Sequence, residues 1–145
     1  MEELILFLDV VLVKEGVIAK LTLQNISDHT LHINARFCVN SRWAPPGERD
    51  LSFEIVGPEG PLEFLPKVRP TPMNPSFVRA LKPKETVETV ARLSEDFSFD
   101  KPGKYQITAT YENWFDFHGQ TLWKGKLVAT KDLVILDVKP GAKRE

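Results

Sequence analysis

The chain has 145 residues, 42% hydrophobic and 27% charged. That is long enough for one domain with its own core and too apolar for a disordered chain. Nineteen basic residues stand against twenty acidic ones, a formal net charge of −1, so no global field draws nucleic acid or an anionic membrane.

Cys38 is the single cysteine, which rules out an intrachain disulfide and favours a reducing compartment. Met1-Glu2-Glu3 is acidic where a signal peptide is basic. The apolar runs 4–8 and 10–13 are split by Asp9 and too short to span a bilayer. The expectation is a cytoplasmic protein with no membrane segment.

Residues 4–14 are rich in Leu and Val, alternate little, and end on Glu15-Gly16. They read as a first strand buried on both faces, or one crossing between sheets. Val17, Ala19, Leu21 and Leu23 then alternate with Ile18, Lys20, Thr22 and Gln24. After the turn cluster Asn25-Ile26-Ser27-Asp28, Leu31, Ile33, Ala35, Phe37 and Val39 share a face against His32, Asn34, Arg36 and Cys38. These two strands read as a meander. Ala44-Pro45-Pro46-Gly47 marks a loop over 41–50, and Leu51, Phe53 and Ile55 a fourth strand. The turn Gly57-Pro58-Glu59-Gly60-Pro61 folds it into a hairpin with 62–65.

The prolines of 66–83 exclude a central strand and predict an extended surface connection. A strand over 86–93 points Val87, Thr89, Ala91 and Leu93 inward. Residues 94–100 form a corner with one helical turn at Ser94-Glu95-Asp96, and Phe97 and Phe99 cap the core. Pro102-Gly103 opens strict alternation, with Tyr105, Ile107, Ala109 and Tyr111 on one face and Gln106, Thr108 and Thr110 on the other. The last strand runs over 123–138. Its inward set changes from Leu127 and Ala129 to Val134, Leu136 and Val138, which predicts a bulge at Thr130-Lys131. Residues 140–145 form a charged, mobile tail.

Many short strands without a long amphipathic helix predict an all-β sandwich or barrel over 1–139. Tyr105, just after a turn at the start of a strand, occupies the place of a tyrosine corner. The succession Leu81-Lys82-Pro83-Lys84-Glu85, Leu93-Ser94, Pro102 to Tyr111 and Trp123-Lys124-Gly125-Lys126-Leu127 resembles the second half of bacterial immunoglobulin-like and fibronectin-III-like accessory domains. Asn25-Ile26-Ser27-Asp28 is similar to the first hairpin of such domains, including the small sandwich of bacterial intracellular proteinase inhibitors. The resemblance implies an immunoglobulin-like antiparallel β-sandwich of seven to nine strands in two sheets. Pro102, Gly103, Tyr105 and Trp123 are its structural residues, and an inhibitor-like role is one implied function.

The functional reading centres on loop 112–122, with Trp114, Phe115, Asp116, Phe117 and His118. In an immunoglobulin topology it joins the last two strands, at the end where variable domains carry recognition loops. Its aromatics either fold back to close the core or present a rigid contact surface. His29, His32, Asp116 and His118 offer metal-donor atoms, but a turn and an outer strand face give them no reason to converge. No metal or other cofactor is expected.

Cys38 lies on a strand, and the chain has neither a Gly-x-Ser-x-Gly elbow nor a Gly-rich phosphate loop, so an enzyme is not expected. Arg69-Pro70-Thr71-Pro72-Met73-Asn74-Pro75 fits a proline-motif ligand and is read as a rigid connector. Asn25-Ile26-Ser27 fits a glycosylation sequon and is read as a turn. The expected function is non-catalytic binding of a protein partner by a monomer or homodimer. The alternative is assembly by edge-to-edge pairing of the first or last strand.

Overall fold

The computed structural model describes residues 3–41, 43–65 and 72–136. The charged tail, the end of the expected last strand at 137–138 and residues 69–71 of the proline motif lie outside these residues. Among the described residues nine strands follow in order: β1 (Leu4–Val13), β2 (Gly16–Asn25), β3 (Leu31–Asn34), β4 (Leu51–Gly57), β5 (Gly60–Pro61), β6 (Val78–Leu81), β7 (Thr86–Arg92), β8 (Gly103–Asn113) and β9 (Gly125–Ile135). The other regular pieces among the described residues are three short 3-10 turns. The molecule is all-β. Its strands pair antiparallel in three open sheets, ordered β1-β2-β7, β3-β6 and β5-β4-β8-β9.

One hydrophobic cluster joins the two larger sheets. It holds Ala19, Leu21 and Leu23 of β2, Val87 and Ala91 of β7, Phe53 and Ile55 of β4, and Ile107 and Ala109 of β8. Two sheets sharing one core are compatible with a β-sandwich. The alternation read from β2 and β8 is the cause: every second residue of each strand is buried, and the residues between are not.

The corner before β8 is built around Tyr105. Its hydroxyl donates to the Lys101 carbonyl at 2.6 Å and accepts from the Lys101 amide at 3.2 Å. Its ring lies 5.1 Å from that of Phe99. On the opposite side Gly57 leaves room for it, since a Cβ there would come within 2.8 Å of the ring. Gly103, with φ at 133°, makes the turn into the strand in a conformation that L side chains avoid.

Five expectations are corrected. First, β1 is not buried on both faces: Leu4 and Val10 are buried, but Phe7, Val11, Leu12 and Val13 are exposed on an edge strand. Second, β2 and β3 do not form a meander, because β3 leaves for a separate sheet with β6. Third, the strand expected through Val39 stops at Asn34. Asn34 Oδ1 takes the Arg36 amide at 2.9 Å, Asp50 Oδ2 takes the Cys38 amide at 2.8 Å, and Phe37 turns to a φ of 54°. Side-chain acceptors there replace a sheet partner.

Fourth, the connection after Pro75 contains β6, whose register sets Leu81 against Leu31 and Val78 against Asn34. Pro75 sits at the start of a 3-10 turn capped by Asn74, and the turn closes with the Val78 amide on the Pro75 carbonyl, after which the chain pairs with β3. Fifth, β9 has no bulge. It starts at Gly125, and its register with β8 is unbroken from Asn113↔Gly125 to Gly103↔Ile135. Leu127, Leu133 and Ile135 turn toward the core, whereas Val134 and Leu136 are exposed.

Candidate binding loop

The loop grows from Asn113, the last residue of β8. Asn113 is buried, and its Nδ2 donates to the carbonyls of Phe115 at 2.9 Å and Trp123 at 3.0 Å. One side chain therefore ties both ends of the loop together. At the tip, Gln120 N donates to Phe117 O at 2.8 Å and Phe117 N to Gln120 O at 3.1 Å. His118 and Gly119 between them have φ values of 49° and 77°, two successive positive angles as in a type I′ hairpin turn. Asp116 braces the middle, accepting from the Leu122 amide at 3.1 Å and from the Lys124 ammonium. That ammonium holds the Asp116 carboxyl below its usual range.

The aromatics divide between two tasks. Leu122 is buried, and Trp123 stacks on Tyr111 with ring centres 6.0 Å apart. These two residues close the end of the core. Trp114 is 52% exposed and donates Nε1 to Glu112 Oε1 at 2.8 Å. Phe115 and Phe117 are half-buried, and Phe117 meets the His118 ring edge-on at 4.2 Å. Partial burial pushes the Glu112 carboxyl up, but hydrogen bonds from Trp114 and Arg49 outweigh it and hold the group below its ordinary value.

Beside the loop lies a cavity of about 440 Å³, lined by Phe115, Asp116, Phe117, Pro72, Met73 and Arg36 with Gly47 and Glu48. Arg36 is fixed there by a fully buried Asp50. Its Nε and Nη2 donate to the two carboxylate oxygens at 2.8 and 2.9 Å, and Nη2 also reaches the Gly47 carbonyl at 3.1 Å. The bond to Asp50 raises the Arg36 pKa against the desolvation that lowers it. Asn34 Nδ2 links the pair to the loop base, donating to Asp50 at 2.7 Å and to Asn113 at 3.2 Å. Tyr111 completes the network by donating to the Asn34 carbonyl at 2.7 Å, and burial pushes its phenol pKa up.

None of this network was legible as a site. Arg36 and Asn34 read as an outer strand face and Asp50 as the end of a loop, yet the side chains of all three are buried. A larger groove, about 600 Å³, lies beside β4 between Trp43, Phe53, Leu62, Phe64 and Phe97. Trp43, 80% exposed, was also passed over in the sequence.

The remaining candidates do not assemble with the loop. His29 pairs with Glu3 at 3.1 Å and Asp28 at 3.2 Å, while Asp116 is engaged by Lys124. Among the described residues no group of three His, Cys, Asp or Glu forms a donor set for a metal. The sequon amide of Asn25 is fully buried and donates to the carbonyls of His29 and Leu81, both at 2.8 Å. Cys38 is buried with Sγ 3.6 Å from the Glu48 carbonyl. No family model matches the chain, and no curated protein matches it significantly.

Proposed function

We propose that the protein is a non-catalytic binding module of immunoglobulin-like architecture, which contacts a protein partner through loop 112–122 and the adjoining cavity. With the small β3-β6 sheet set aside, the orders β1-β2-β7 and β5-β4-β8-β9 correspond to the A-B-E and C′-C-F-G sheets of that architecture. The loop then joins strands F and G, at the recognition end.

The observation that carries the reading is the division of labour among the aromatics. Leu122 and Trp123 close the core, so Trp114 is not needed there and stands 52% exposed. The loop is also held at its base, middle and tip before any partner arrives, so little ordering entropy is lost on binding. An apolar side chain of the partner would enter between Phe115, Phe117 and Met73.

The test is a Trp114→Ala, Phe117→Ala double variant. The partner is first captured from the native host with the unaltered chain, and affinities are then measured with purified components. At least about a hundredfold weaker binding with little change in Tm is the expected result. Unchanged affinity removes this surface from consideration.

A further inference from the structure

The edge of β4 that faces away from β8 is paired at both ends and open in the middle. Glu112 N donates to Asp50 O at 3.0 Å. Hydrogen-bonded pairs alternate with non-bonded ones along an antiparallel ladder. Ser52, Glu54 and Val56 therefore bond to β8, while Leu51, Phe53 and Ile55 turn their amides and carbonyls to the other edge. There Leu51 donates to Cys38 O and accepts from Asn40 N, both at 3.0 Å, and Ile55 O accepts from Leu62 N at 2.8 Å. Phe53 lies between them, and neither its amide nor its carbonyl bonds to any of the described residues. It is only 8% exposed, and a buried donor and acceptor without partners are rare.

Neither flanking segment fills the open position. The Ser41 amide turns onto Asn40 Oδ1 at 2.8 Å and the Ser41 carbonyl takes Ala44 N at 2.9 Å, which carries that segment off the edge. On the other side Leu65 N donates to Asp96 O at 2.7 Å and draws 62–65 toward the turn after β7. The groove of about 600 Å³ opens here. Its walls include the flat rings of Trp43, Phe64 and Phe97, the last two with centres 5.4 Å apart. Glu54 is the single charged side chain among its described lining residues, which suits a neutral ligand.

We infer that this groove binds a small planar cyclic amide, a ring that carries an N–H and a C=O side by side, as lactams and amide-type nucleobases do. The ring N–H donates to the Phe53 carbonyl, the ring C=O accepts from the Phe53 amide, and the aromatic walls pack against the ring. Apolar walls around a few fixed backbone groups, at this volume, are the usual make-up of a small-molecule site. An extended peptide offers the same two groups, but space decides against it. From Leu51 to Ile55 the edge measures about 14 Å, and Asn40 and Leu62 hold its two ends. A single residue position is open, and a strand laid along β4 would run into both neighbours.

The test is an NMR titration of the isotope-labelled full chain with α-pyridone and with uracil, which separate a simple lactam from a nucleobase. Saturable shifts of the Phe53 amide and the Trp43 indole are expected with at least one of them, and the tighter probe names the source. No shift at Phe53 with either probe up to about 10 mM overturns the inference. N-methyl-α-pyridone keeps the ring and the carbonyl but lacks the N–H, and should bind at least about tenfold more weakly. Equal binding would mean that Phe53 does not read the ring. Trp43→Ala, at a ring 80% exposed and outside the core, should weaken binding at least about fivefold, and an unchanged affinity rejects the groove. N-acetyl-leucine methylamide is the open-chain comparison. If it binds more tightly than both cyclic probes, the occupant is a strand and the cyclic-amide assignment fails. The Trp114→Ala, Phe117→Ala chain should show the same shifts as the unaltered one. Their loss would move the ligand to the loop cavity, so this site and the loop's partner binding stand or fall separately.

Discussion

Asp50 accepts hydrogen bonds from Asn34, Cys38 and twice from Arg36 while wholly out of water. Burying the carboxylate charge without such partners would carry a large desolvation cost. Removing it leaves the Arg36 guanidinium buried without its counter-charge, which for pairs of this kind costs about 3–5 kcal/mol. Asp50→Ala is therefore expected to lower the unfolding free energy by that amount in a urea titration. A loss below about 1 kcal/mol would mean that water reaches Arg36 freely. Tyr105 presents the opposite balance. Its ring is fully buried, but the hydroxyl makes only two bonds to one backbone unit, Lys101. Tyr105→Phe keeps the ring between Phe99 and Gly57 and should cost about 1 kcal/mol, with ligand binding at the distant loop unaltered.

Among the elements, β9 shows why alternation is readable while its phase is not. Val128, Thr130, Asp132 and Val134 form one face and Leu127, Ala129, Lys131, Leu133 and Ile135 the other. Valine favours a pleated surface whether or not it is buried, so Val134 and Leu136 resembled core residues and a bulge was needed to reconcile them with Leu127. The register has no such break. Val134→Lys should thus change stability by less than about 0.5 kcal/mol, whereas Ile135→Ala, one residue on, should cost about 2–5 kcal/mol. Equal costs in denaturant titrations would point to a slipped register.

The strands β2 and β8 were legible because their outward residues are mainly polar. The small β3-β6 sheet was not, because prolines on its approach concealed β6 and side-chain acceptors cut β3 short. The binding loop adds a pH-dependent property. Glu112 has its folded pKa depressed below an ordinary 4.5, so its contribution is present above that value and is lost as pH falls through the folded one. Trp114 fluorescence should accordingly change below pH 4.5, as Glu112 gains a proton and loosens its bonds to Trp114 and Arg49. The change should vanish in Trp114→Phe, and a midpoint above 4.5 would contradict the assigned pairing.

For the molecule as a whole, the question is how far recognition and folding can be separated. The chain pairs remote segments, β2 with β7 and β4 with β8, around one core, so damage at any buried position is felt throughout. The loop escapes this coupling in part. Its exposed aromatics lie beyond Leu122 and Trp123, and its base reaches the core through Asn113. That amide joins the Asn34 and Asp50 network, which also fixes Arg36 in the cavity wall. Trp123→Ala removes a half-buried ring stacked on Tyr111 and should cost roughly 2–3 kcal/mol, less than the roughly 3–5 of a fully buried ring. Asn113→Ala leaves two loop carbonyls and the Asn34 amide short of a partner, which predicts a loss of stability together with weakened partner binding. Trp114→Ala should weaken partner binding while leaving the core intact, and its cost in stability should remain within about 0.5 kcal/mol in the same titration. If Trp114→Ala proved as destabilising as Trp123→Ala, the exposed ring would belong to the core after all, and the case for a preformed contact surface would lose its footing.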